Sequence, residues 1–178
     1  MAIPPACLLC LLLVVLVAIP SQPHALRSSS PFDAALATLQ KQIAYDFRAP
    51  DLLRRAMTHA SYSRENGRAL AVLGLAAAQS AAALRALVAD HDASASAVSR
   101  RARDASEEAA CVAAAARVGI PSIVRVAAGT KASAAPVVCG ALRALIGAVA
   151  VDANSTHVAE EVFWKLHVLT AASAKAAM

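Results

Sequence analysis

Aromatic side chains are nearly missing: three phenylalanines, two tyrosines and one tryptophan in 178 residues. A core without them rests on small side chains and gains less per residue than one of leucine and phenylalanine. Period-two alternation of apolar and polar residues is hard to find, which argues against a sheet. Glycine occurs six times, too scattered for a dinucleotide-binding fingerprint, and "AGTK" lacks the glycine and Lys-Ser/Thr positions of a phosphate loop. The histidines, His24, His59, His91, His157 and His167, form no HExxH and no i, i+4 pair, and no GxSxG surrounds a serine. A lone His59 therefore reads as a hydrogen-bonded structural residue.

What the chain has is alanine. Hydrophobic residues make up 58% of it, and alanine loses no side-chain entropy in a helix, so one all-α domain is the expected fold class. The net charge of +5 permits phosphate binding, but the basic residues are scattered. The dense cluster Arg100, Arg101 and Arg103 is followed at once by Asp104, Glu107 and Glu108, which reads as a solvated, self-paired face.

"ACLLCLLLVVLVAI", Ala6 to Ile19, is an unbroken apolar run ended by Pro20. It is short for a hydrocarbon core and suits the h-region of a signal peptide over residues 1–25, with Ser21 and Ala25 as alternative last residues. A signal anchor is the alternative. Either directs the chain to the secretory pathway or an endomembrane lumen; an organelle is the second localisation considered. No permanent span is expected once the leader is removed. Cys7 and Cys10 fall in the leader, whereas Cys111 and Cys139 remain and could pair in an oxidising compartment. Asn154 opens the sequon "NST", meaningful under the same condition.

Helical patterns follow in order. An amphipathic segment runs from Phe32 to about Ile43. Pro50 opens a second helix, and Gly67 breaks the chain before a long alanine-rich helix to about Ala89. Residues 90–99 read as a loop or a helix start. "RRARDASEEAACVAAAARVG" reads as one helix capped by Gly119, "IPSIVRVAAGTKASAAP" as a connector, and Pro136 as the opening of an apolar helix. In that helix Leu142, Leu145, Ile146 and Val149 recur at helical spacing around a single charge, Arg143. "THVAEEVFWKLHVLTAASAKAAM" closes the chain, with Val158, Val162, Phe163 and Leu166 as its apolar face and 171–178 as a tail.

Taken in order, these segments resemble a ribonuclease III domain over residues 32–170. "YDFRAPDLLRRAMTHASYSREN" is similar to that family's opening, with its "THxSY" motif. "RALAVLGLAA" stands where the family carries "ERLEFLGDA", and "CGALRALIGAVAVD" resembles "ADAxEALIGAIYLD". The resemblance implies an all-α ribonuclease III-like fold and a site of four carboxylates holding magnesium, which activates water and stabilises the leaving oxygen. Carried over, those four positions fall on Ala71, Leu75, Gly140 and Arg143, and the signature's first glutamate falls on Arg68. None is acidic, and neither Glu65 nor Asp152 is placed to substitute. No metal, cofactor or catalytic residue is therefore expected. The family's dimer-contact aromatic is here Val72, so a homodimer would have a smaller anchor.

The expectation is a binding or scaffold module that has lost catalysis. Its layout of leader plus one domain is similar to that of short plant members of this family, which implies a part in the fusion of nuclei (karyogamy). The alternatives are a double-stranded-RNA endoribonuclease, which rests on fold alone, and an RNA-binding protein using Arg54, Arg55 and Arg64. A second copy of the chain or another protein is the expected partner, with double-stranded RNA the weaker one.

Overall fold

The structure, a computed structural model, describes residues 30–176. The leader expected at 1–25 lies outside these residues. Eight helices follow: α1 (Pro31–Ile43), α2 (Pro50–Ala56), α3 (Arg68–Ala89), α4 (Ala95–Ala105), α5 (Glu108–Arg117), α6 (Ile120–Ile123), α7 (Ala135–Ala153) and α8 (Thr156–Ala176). Among the described residues the β pairing is one isolated parallel bridge, Thr58 with Arg125.

Local chemistry accounts for most boundaries. The Ser30 hydroxyl accepts the Asp33 N–H at the start of α1, with proline in the first turn. Ser94 does the same for α4, accepting from Ala97. Gly119 takes the left-handed conformation (φ 68°) that ends α5, as a C-terminal cap should. Asn154 ends α7 in the same region (φ 50°), which asparagine tolerates better than most residues.

Two expectations are corrected. Residues 100–119 are not one helix: α4 ends at Ala105 and α5 begins at Glu108. The Ser106 hydroxyl donates to the Ala102 and Arg103 carbonyls, and Glu107 is extended (φ −62°, ψ 146°), so the chain turns there. The connector contains a helical turn, α6, set between Gly119 and the extended Val124. Helix α8 runs to Ala176.

Helix α7 is the centre of the molecule; Leu142, Leu145, Ile146 and Val149 are all buried on it. It crosses α3 at two glycines. A Cβ at Gly74 would lie 1.8 Å from the Arg143 carbonyl oxygen, and one at Gly147 2.0 Å from that of Leu70. No side chain fits there, so the two backbones touch directly. That approach also lets alanine, rather than larger residues, fill the layer at Ala77, Ala78, Ala81 and Ala144. Both α3 and α7 have the length and apolarity of a membrane span, yet α7 spends its apolar surface on the core of this domain. On α8, Val162, Phe163 and Leu166 are buried and Val158 is half-buried.

Candidate functional site

The first turns of α3 and α7 lie side by side, and the turn after α2 closes the space between them. Together they line a pocket of about 420 Å³ that includes Thr58, His59, Arg68, Ala71, Pro136 and Gly140. Its wall is fixed by backbone bonds: His59 N–H donates to the Arg125 carbonyl (2.9 Å) and Arg125 N–H to that of Met57 (2.9 Å). Thr58 is buried, its hydroxyl donating to the Arg54 carbonyl (2.7 Å) and accepting from Arg125 Nη2 (2.8 Å). The Arg125 guanidinium lies 4.1 Å from the Phe32 ring centroid and 4.9 Å from that of Tyr62.

The four positions carried over by resemblance divide between two places. Ala71 and Gly140 line this pocket, and a Cβ at Gly140 would meet nothing within 4 Å. Leu75 and Arg143 instead line a crevice of about 20 Å³ with Gly74, Ala105 and Ser106. Arg143 Nη2 donates to the Ser106 carbonyl at 2.7 Å, while its Nε is buried without a hydrogen-bond partner. Ser106 is the C-cap of α4, where orphan carbonyls carry partial negative charge, so a guanidinium is at home there. Gln79 reaches the same residue, Nε2 to Ser106 Oγ at 3.3 Å. The charge inside the apolar helix is thus neither snorkelling nor paired with an acid; it caps a neighbouring helix.

Magnesium needs oxygen ligands. The side chains at 71, 75 and 140 offer none and the one at 143 is cationic, so these four positions do not fit the ion. Glu65 is exposed, ahead of α3. Asp152 is engaged elsewhere, accepting from Tyr45 Oη (2.8 Å), Arg48 N–H (3.0 Å) and Ala49 N–H (2.8 Å). Burial pushes its carboxyl up, but those two backbone donors, the tyrosine hydroxyl and the Arg48 charge outweigh burial and hold it below its ordinary value. Its role is to tie the α1–α2 connection to the end of α7. Among the described residues no three His, Cys, Asp or Glu side chains gather as a metal cluster.

The remaining candidates lie apart from the pocket. Val72 is 72% exposed, the most open large apolar residue among those described. Asn154 is exposed in its left-handed turn. Cys111 on α5 and Cys139 on α7 are both buried and stand as a disulfide, Cα atoms 5.3 Å apart. Sequence reasoning missed Gly74, Gly147, Ser106 and the Thr58–Arg125 pair. The glycines did leave a signal: each sits inside an apolar helix, where glycine costs about 1 kcal/mol against alanine unless close packing requires it.

No protein-family model matches the chain. It is 44% identical over 140 residues to Nuclear Fusion Defective 2 of Arabidopsis thaliana, an alignment spanning 78% of this chain and 73% of that protein. Two solved structures of the nuclease domain of ribonuclease III from Campylobacter jejuni superpose on it. One, concerned with flexibility in a region involved in that domain's dimer formation, has TM-score 0.70 and 20% identity over 74% of this chain and 95% of its own. The other has TM-score 0.68 and 19% identity over 74% and 92%. At such identity the likeness is one of fold.

Proposed function

The chain belongs to the family of Nuclear Fusion Defective 2 and has the ribonuclease III nuclease-domain fold, and on that premise we propose that it serves nuclear fusion as a binding or scaffold module without nuclease activity. Arg143 carries the reading. It stands where the resemblance places a metal-binding glutamate, and its guanidinium is committed to the Ser106 carbonyl. A fixed cation there opposes a divalent metal. The test is cleavage of double-stranded RNA by purified protein with magnesium or manganese. The expected result is none; cleavage that survives removal of contaminating nuclease and falls in an Arg143→Ala preparation overturns the reading.

A lumenal location agrees with this role. It is supported by the apolar leader, the Cys111–Cys139 pairing and the exposed sequon at Asn154. A second copy of the chain is the partner we favour, because Val72 is open at the position the resemblance assigns to dimer contact. Sedimentation of the wild type against Val72→Glu tests it, a monomer in both being the adverse result. The RNA-binding alternative is weakened by Arg54, which pairs with Asp33 and lies 3.8 Å from Asp51.

A further inference from the structure

We propose that a glycan carried by Asn154 seats its first two sugars in the groove between α3 and the α7–α8 turn. The inference rests on the lumenal reading above. The groove measures about 550 Å³, and Leu73, Ala150, Val151, Ser155 and His157 line it beside Asn154 itself. Its size falls within the roughly 300–1,000 Å³ of sites that hold small organic molecules. The attachment point is therefore part of the wall it would fill.

The anchor is held in place. Asn154 N–H donates to the Val151 carbonyl (3.2 Å) and Ser155 N–H to that of Ala150 (3.0 Å), so two backbone bonds fix the turn at its positive φ. The Asn154 side-chain amide enters no hydrogen bond among the described residues, which leaves Nδ2 open. Transfer joins Nδ2 to C1 of the first sugar as the C1–O bond to a lipid diphosphate breaks and Nδ2 loses a proton. A sugar on so short a link sits beside the groove at a roughly millimolar effective concentration. Contacts too weak to hold a free sugar then suffice.

The lining suits a saccharide, which has apolar C–H faces and hydroxyl edges. Val151 is 47% exposed and Leu73 half-buried, with Ala150 buried beneath, so a pyranose face laid on them takes apolar surface out of water. Ser155, Thr156 and His157 supply polar partners for the hydroxyls. Ser155 Oγ accepts from Val158 N–H at 3.5 Å and keeps its own proton to donate. The His157 ring is held on α8 beside Glu160 (4.0 Å) and Glu161 (3.7 Å). A nucleic acid is poorly served here, because no lysine or arginine lines the groove.

The experiment uses the full chain made in a secretory host, before and after peptide-N-glycosidase. In the glycosylated protein, NMR cross-relaxation should connect sugar protons with the Leu73 and Val151 methyl groups. Removing the glycan should lower the thermal midpoint by about 2–4 °C. Val151→Ser keeps the sequon and removes one apolar wall, so it should cut that difference to roughly half or less. The cycle separates the sugar contact from the effect of the substitution itself. Absent sugar–methyl contacts, or an undiminished difference in Val151→Ser, overturn the proposal. So do Val151 methyl shifts that grow with the concentration of glycosylated protein, which would place a second copy in the groove. Lack of any glycan at Asn154 would sink the lumenal reading along with this one, whereas a glycan that is present but makes no contact with the groove would sink this one alone.

Discussion

Arg143 Nη2 and the Ser106 carbonyl oxygen are 2.7 Å apart, joining the central helix α7 to the C-terminus of α4. The contact gives the guanidinium a helix-capping role. Arg143→Ala should lower stability by about 1–2 kcal/mol through the lost charge-assisted bond and the orphaned carbonyl. Arg143→Glu should cost more, since it turns a negative charge toward that carbonyl. Urea midpoints at unchanged m-value measure both.

The crossing at Gly74 and Gly147 predicts opposite outcomes for three glycine-to-alanine changes. Gly74→Ala and Gly147→Ala place a methyl within 1.8 Å and 2.0 Å of backbone oxygen. Each should therefore cost about 3 kcal/mol or more as the helices are forced apart. Gly140→Ala meets nothing within 4 Å and should stabilise by up to about 1 kcal/mol through helix propensity. Equal effects at all three would contradict the close crossing.

Asp152 predicts an acid-sensitive term. Its side chain is 1% exposed and its folded value lies below the ordinary 3.8. The stability it contributes is present in full above that ordinary value and is lost as pH falls through the lowered folded value. Asp152→Asn should flatten this part of the stability–pH curve and lower stability at neutral pH. A curve of unchanged shape would remove Asp152 from the account.

Cys111 and Cys139 close a loop of sequence separation 28. In the chain-entropy description such a link contributes roughly 3–4 kcal/mol. Protein recovered from the secretory pathway should show two fewer protons at these thiols by intact mass, and reductant should lower its thermal midpoint. An identical midpoint with and without reductant would argue that the pair is not joined in that form.

Glycosylation at Asn154 is expected in cells if the chain enters the endoplasmic reticulum, because the residue is exposed in a turn between α7 and α8. Thr156→Ala removes the sequon while keeping asparagine at its positive φ, so it should abolish any glycosidase-sensitive mobility shift. A shift that persists in this variant would point to another modification.

The sequence by itself determined the helical class, the order of the helices and most of their ends, because alanine content, proline at helix starts and Gly119 at a helix end act locally. It also determined that positions 71, 75, 140 and 143 bring no carboxylate, since that follows from residue identity alone. The break at Ser106 was hidden, because alanine-rich sequence favours helix on both sides and the turn is held by Arg143 and Gln79 from other helices. Only tertiary structure decided that Ala71 and Gly140 share a pocket while Leu75 and Arg143 line another crevice. The reason is geometric. Which residues face which space follows from the crossing of α3 and α7 at Gly74 and Gly147, a contact between residues more than sixty positions apart in the chain, which no local pattern encodes.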